Sequence, residues 1–435
     1  PPKDAVRIEE LVNYFTYDVA PPAAESSVPL TAHLEVAEAP WAPQHRLVRV
    51  ALKARALADG QRSPANLVFL LDVSGSMSTA NKLPLVKDAM RVLVQRLQPE
   101  DRVAIVTYAG ASGLALPSTP VRQAREILGA LDELRPGGST NGAMGIHLAY
   151  DVARANFITG GINRVILCTD GDFNVGVTST GDLTTLVGQK AKSGVFLTVL
   201  GFGMGNYRDD VLERLADRGN GNYGYIDSLK EARKLLVEQV DGTLATIAKD
   251  VKVQVEFNPA QVQAYRLLGY ENRLLRPEDF NNDAIDAGEV GAGHTVTALY
   301  EVVPIGAGEP PRAAIDPLKY QPRKAEEPTR ATAGAAANEL LTVSVRYQPP
   351  EGGPSQRLEF PLIDGHGAFT AASADFRFAA AVAGFGLVLR DSPHRGSATL
   401  ARVMDWAESA TGADAGGHRR DFVALIRRAM DVLGE

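Results

Sequence analysis

Residues Asn66 to Ser78 read N-L-V-F-L-L-D-V-S-G-S-M-S. Five apolar residues, Leu67 to Leu71, run without a break and stop at Asp72. An uninterrupted apolar run of this length predicts a strand buried on both faces. Asp72 falls where that strand ends. Ser74 and Ser76 follow at alternating positions, and Gly75 between them lets the backbone turn. One carboxylate and two hydroxyls therefore converge at the C-terminal edge of a central parallel strand, where open α/β sheets place their ligands.

Two later stretches reach the same edge. Pro136 to Gly142, P-G-G-S-T-N-G, precedes a predicted helix and carries the hydroxyls of Ser139 and Thr140. Val165 to Gly171, V-I-L-C-T-D-G, is a second apolar strand, ending in Asp170. Strands of one sense in a parallel sheet finish on one edge, so Asp72 and Asp170 meet if their strands are neighbours. The donors are hard oxygens without His or Cys, which selects Mg2+, Mn2+ or Ca2+ over zinc or copper. Hydroxyls bound directly, with waters held by the two aspartates, would leave about one replaceable position on an octahedral ion. A carboxylate from a partner suits that position.

The D-x-S-x-S run with its two distant partners resembles the metal-ion-dependent adhesion site of von Willebrand factor type A domains. The resemblance implies metal ligation by Asp72, Ser74, Ser76, Thr140 and Asp170, and it selects Thr140 over Ser139. It also implies a last ligand contributed by the binding partner. The likeness extends beyond this domain. R-I-E-E-L-V-N-Y-F-T-Y from Arg7, A-P-W-A-P-Q-H-R-L-V-R-V from Ala39, K-D-V-K-V-Q-V-E-F-N-P-A from Lys249, G-Y-E-N-R-L-L from Gly269 and D-F-N-N-D-A-I-D-A-G-E-V-G from Asp279 are similar to bacterial YfbK-like von Willebrand A proteins. The arrangement also resembles inter-alpha-trypsin inhibitor heavy chains and integrin β subunits, where an A-type domain is inserted in a sandwich.

Periodicity divides the chain in the same way. Ala5–Phe15 reads as a short amphipathic helix within residues 1–20. Alternating strands at Leu30–Val36 and Leu47–Ala54 place part of a β-sandwich in residues 28–62. Strands and helices then alternate through residues 63–248, the mark of a doubly wound, Rossmann-like α/β domain. Its closing helix is predicted over Leu229–Ile247; by analogy with integrins, such a helix couples the metal site to the sandwich. Alternation resumes from Val251, so the sandwich continues over residues 249–373, with a Pro/Ala/Gly-rich loop at 305–338. Residues 374–435 are helical. The expected fold class is thus α/β, a von Willebrand A domain inserted in a β-sandwich with a C-terminal helical region.

Composition narrows the function. With 45% hydrophobic and 22% charged residues the chain is that of a globular protein. A net charge of −7 and the lack of a basic, aromatic-studded cluster argue against nucleic acid. One cysteine, Cys168, rules out a disulfide framework. The apolar run Phe378–Leu389 is too short for the roughly 20 residues of a spanning helix. The chain opens Pro1-Pro2-Lys3, which fits either a removed targeting segment or a trimmed terminus, and a cell-envelope location is expected.

Other motifs read as structure. Gly219–Gly224 matches G-x-G-x-x-G but follows a helix and precedes a strand, so it is a turn. Asp279–Asp283 starts like a calcium loop, but Ala284 and Val290 stand where Gly and Glu are needed. His147 is expected to pack on the apolar side of its helix, and Trp41 to anchor the sandwich. The function expected is non-enzymatic, metal-dependent binding of an acidic group on a protein partner. The alternatives are a Mg2+-dependent hydrolase or phosphoryl-transfer enzyme and a scaffold with a structural metal.

Overall fold

The computed structural model describes residues 3, 6–23, 25–57, 62–109, 112–138, 142–171, 180–203, 209–238, 242, 244–270, 279–281, 288–307, 338–350 and 352–434. The chain begins with helix α1 (Ile8–Asn13) and the hairpin β1 (Leu30–Ala39) and β2 (Ala42–Ala54). An alternating series follows: β3 (Ala65–Asp72), α2 (Leu83–Val94), β4 (Arg102–Tyr108), β5 (Ser112–Pro120), α3 (Ala124–Glu133), α4 (Gly142–Ala155) and β6 (Ile162–Thr169). It continues with α5 (Thr180–Ala191), β7 (Phe196–Phe202), α6 (Asp209–Arg218), β8 (Tyr223–Ile226) and α7 (Leu229–Arg233). Strands return as β9 (Thr246–Phe257), β10 (Val262–Leu267), β11 (Gly288–Gly291), β12 (Thr295–Pro304), β13 (Glu339–Gln348) and β14 (Gln356–Ile363). Helices α8 (Ala374–Leu389), α9 (Leu400–Glu408) and α10 (His418–Leu433) close the chain.

These elements form two compact units. One comprises Arg55–Lys249 with Ala287–His294. Its six-stranded sheet has the order β5-β4-β3-β6-β7-β8. Every pairing is parallel except that of β5, which runs antiparallel on β4 at one edge. All eight residues of β3 are buried. Its side chains divide by the two-residue period of a strand. Leu67, Phe69 and Leu71 enter a core with Val86, Met90 and Leu93 of α2. Val68 and Leu70 enter the opposite core with Ile146, Ala149 and Tyr150 of α4. This two-sided cover is why the strand reads as an unbroken apolar run. At the other end of the strand, the buried Asp101 pairs with Arg62 at 2.6 Å and accepts the Ala65 amide at 2.7 Å. That fixes where β3 starts.

Strand β5 was not anticipated. Its sequence S-G-L-A-L-P-S-T-P holds two prolines, which only an edge strand tolerates. The helix predicted over Leu229–Ile247 starts as expected but changes character and stops short of Thr246. α7 passes at Arg233 into a single π-type turn over Lys234–Glu238, Gly242 and Leu244 are helical, and Thr246 and Ile247 already belong to β9. The β-branched pair Thr246-Ile247 joins the strand that the Val251 alternation begins.

The other unit comprises Pro1–Ala54, Asp250–Asp286 and Thr295–Glu435. One of its sheets has the order β1-β2-β12-β10. In the second sheet β9 pairs with β13 and β13 with β14. Phe257 of β9 stacks on Tyr265 of β10 at 4.0 Å between centroids and meets Tyr300 of β12 edge-on, which joins the sheets face to face. The other face of the first sheet is covered by helices: Leu47, Ala51 and Leu299 share a core with Ile8 and Val12 of α1 and with Phe378, Val382 and Phe385 of α8. α8 is buried almost all round. Trp41 anchors this layer, packing near Trp406 of α9 and donating its indole N–H to Glu301 at 2.9 Å. Among the described residues no helix is long and apolar enough to cross a membrane. The loop expected at 305–338 lies mostly outside the described residues, as do Asn282 and Asp283 of the expected Asp279–Asp283 turn, whose first three residues are described as turn or 3-10 backbone.

Candidate functional site: the carboxylate edge of the parallel sheet

β3 lies between β4 and β6 with Asp72 opposite Tyr108 and Leu71 opposite Cys168. Asp72 therefore lies beside the end of β6, and Asp170 follows immediately after it. The neighbour relation expected for the two aspartates is the one observed. Both carboxylates belong to buried residues.

The turn after Asp72 is shaped by its own side chain. Asp72 Oδ1 accepts the Ser74 amide at 2.8 Å, a local Asx-type bond that reverses the chain. A single 3-10 turn over Gly75–Ser78 follows, with Met77 fully buried beneath it. Ser74 is buried and Ser76 exposed, and their hydroxyl oxygens lie 2.9 Å apart. The loop leading to Thr140 is tied to this turn. The Gly75 amide donates to the Gly138 carbonyl at 3.2 Å, and the Gly137 amide to the Val73 carbonyl at 2.7 Å. Ser139 and Thr140 lie outside the described residues, as do Asp172 and Asn174. α4, which follows, is pressed onto the sheet at Gly145, where an added Cβ would come within 2.9 Å of Tyr108 and 3.0 Å of Leu70. Only glycine allows that approach.

The electrostatics are those of an anionic pocket. Burial pushes the Asp72 carboxyl up to about 6; hydrogen bonds from Ser74 work against this and the charge of Asp170 adds to it. Asp72 Oδ2 is buried and meets no hydrogen-bond donor of strict geometry among the described residues; the buried Tyr108 hydroxyl is close enough to act as a donor to the Asp72 carboxyl and so to lower it. A buried carboxylate oxygen whose one nearby donor is a phenol suits a cation or a cation-bound water. Lys82, in the turn before α2, already brings a positive charge to this edge. Its Nζ donates to Asp170 Oδ2 at 2.8 Å and to the Ser76 carbonyl at 3.0 Å.

Sequence reasoning missed Lys82. It stands six positions after Ser76, at no spacing that signals a site. What reveals it is the packing of Gly203 beyond the end of β7, where φ is +90° and an added Cβ would lie 2.7 Å from Lys82 Cε. His147 departs from expectation. It is exposed on α4, whose buried stripe runs through Gly145, Ile146, Ala149, Tyr150 and Ala153. Ala143, one turn earlier on the same side of the helix, is itself only half-buried. Of the turn expected over Gly219–Gly224, Gly219–Gly221 is tight, with Gly219 and Gly221 both donating to the Ala216 carbonyl and Asn220 at φ +52°, whereas Tyr223 and Gly224 already belong to β8.

A doubly wound sheet whose central strand ends in Asp-x-Ser-x-Ser beside a second aspartate defines a von Willebrand factor type A domain protein. The profile of that domain matches residues 66–239, and a von Willebrand factor profile matches residues 1–49. The chain belongs to the YfbK family. The profile described as "Uncharacterized protein YfbK, C-terminal" matches residues 242–432. The Escherichia coli protein YfbK is 43% identical over 438 residues, 99% of this chain and 74% of that relative. An inter-alpha-trypsin inhibitor heavy chain from Sus scrofa is 27% identical over 39% of this chain and 19% of its own length. A solved "von Willebrand factor type A" structure from Catenulispora acidiphila aligns over 93% of this chain and 91% of its own, with 16% identity and a TM-score of 0.49. Domains of this type generally mediate protein–protein interaction.

Proposed function

We propose that the chain is a non-enzymatic, divalent-metal-dependent binding module that grips an acidic group of a protein partner. The observation that carries this reading is the buried Asp72 carboxylate at a strand edge shared with the buried Asp170 and the paired hydroxyls of Ser74 and Ser76. These oxygens fit a hard cation such as Mg2+, Mn2+ or Ca2+. Ser74 and Ser76 would ligate directly, Thr140 would join them from the loop held at Gly137 and Gly138, and Asp72 and Asp170 would orient coordinated water. When bound, the ion supplies an electrophilic position that a partner's carboxylate can complete. Asp72 holds Ser74 in place through the amide bond to Oδ1, so the hydroxyl pair is set before any cation arrives.

Affinity capture tests the reading. The immobilised full chain is exposed to envelope and soluble fractions from its own source in Mg2+, and then in EDTA. A protein retained in Mg2+, released by EDTA and not retained by Asp72→Ala supports it. Equal retention by both chains in both buffers contradicts it.

A further inference from the structure

Lys82 sits where a second positive charge would be least compatible with a metal ion. Its ammonium bridges Asp170 Oδ2 and the Ser76 carbonyl, joining the end of β6 to the serine turn. The side chain is 18% exposed. Its stem runs over Gly203, and the Gly203 carbonyl accepts a hydrogen bond from the Tyr225 hydroxyl. Three strand ends thus build a seat for one lysine.

We infer that Lys82 is a tethered cation that closes the metal edge when no divalent ion is present, and that it must leave Asp170 for an ion to bind. The inference rests on the metal-site reading above. Asp170 Oδ2 can serve the ammonium or the coordination sphere, and among the described residues this edge brings together the carboxylates of Asp72 and Asp170 and the ammonium of Lys82. A divalent ion added beside an undisplaced ammonium would meet a like charge at close range, in a site partly shielded from water. Displacement of Lys82 relieves this and carries the ammonium toward solvent on its flexible stem. Lys82 therefore sets the threshold cation concentration at which the edge becomes able to bind.

Lys82→Met keeps the stem over Gly203 and removes the charge. Mn2+ binding to the full chain, followed by the loss of the free-ion electron paramagnetic resonance signal, is expected to be about tenfold tighter in Lys82→Met, the size of one close charge interaction in a water-like medium. A second readout needs no variant. Acylation of Lys82 by an amine-reactive ester, quantified by peptide mass spectrometry, is expected to rise severalfold when Mg2+ is added to the natural chain. Equal or weaker Mn2+ binding by Lys82→Met, or unchanged labelling of Lys82 in saturating Mg2+, overturns the inference while leaving the metal site standing. No Mn2+ bound by either chain overturns the metal site and the inference with it.

Discussion

Asp72→Asn should make the metal-free chain more stable at neutral pH, although it alters the residue on which the site depends. Asn retains Oδ1 as acceptor for the Ser74 amide and removes the buried charge. The size follows from the carboxyl itself. Its ordinary value is 3.8 and burial raises it to about 6 in the folded chain, so holding it ionised above pH 6 costs about 3 kcal/mol. The sign is that of a raised acid: the folded state binds the proton more tightly than the unfolded one. The stabilisation from that proton is complete below pH 3.8 and is lost as pH rises through about 6. Urea unfolding in EDTA should therefore show Asp72→Asn more stable by about 2–3 kcal/mol at pH 7.5, with the difference shrinking toward zero near pH 4. Mg2+ should reverse the order. At a thousand times its dissociation constant a ligand adds about 4.1 kcal/mol to the chain that binds it, and Asp72→Asn would gain little. Asp72→Asn less stable than the natural chain in EDTA at pH 7.5 would refute the reasoning, because the carboxylate would then be well satisfied without a metal.

Two further outcomes test the frame around the site. Phe69→Ala, deep in the central strand and 1% exposed, should lower stability by about 3–5 kcal/mol in chemical denaturation, with the metal-linked residues unaltered in sequence. Glu301 is a buried carboxylate; burial alone would raise it, but the Arg266 guanidinium and hydrogen bonds from His45, Trp41 and Arg266 outweigh that and hold it below its ordinary value of 4.5. Its contribution is present above pH 4.5 and lost as pH falls through the lower folded value. Glu301→Ala should cost about 3–5 kcal/mol at pH 7 by leaving Arg266 and Trp41 donors unmatched, and Glu301→Gln should flatten the acid side of the stability profile.

The legible part of the site was the part written in strand ends. Leu67–Leu71 followed by Asp72, and Val165–Thr169 followed by Asp170, carry their placement in the chain because an apolar run that stops at a carboxylate marks a sheet edge. The neighbourhood of β3 and β6, needed to bring the aspartates together, is confirmed by their register. What stayed hidden depends on contacts far apart in sequence. Lys82 reaches Asp170 across 88 positions, and no local spacing encodes that. β5 escaped because two prolines mask a strand whose edge position tolerates them. His147 was misjudged because one step of helical phase, about 100°, separates an exposed position from the buried Ile146. The helical layer over the first sheet was foreseen as a C-terminal region, but its cover of Leu47 and Ala51, shared with α1 from the other end of the chain, is a tertiary fact.

The central claim is that Asp72, Ser74, Ser76, Thr140 and Asp170 hold one divalent cation. Isothermal titration of the full chain with Mg2+ measures this directly. The account predicts one bound ion per chain, with binding lost in Asp72→Ala and in Thr140→Ala. The same stoichiometry and affinity in all three chains, or no binding by the natural chain, would contradict it.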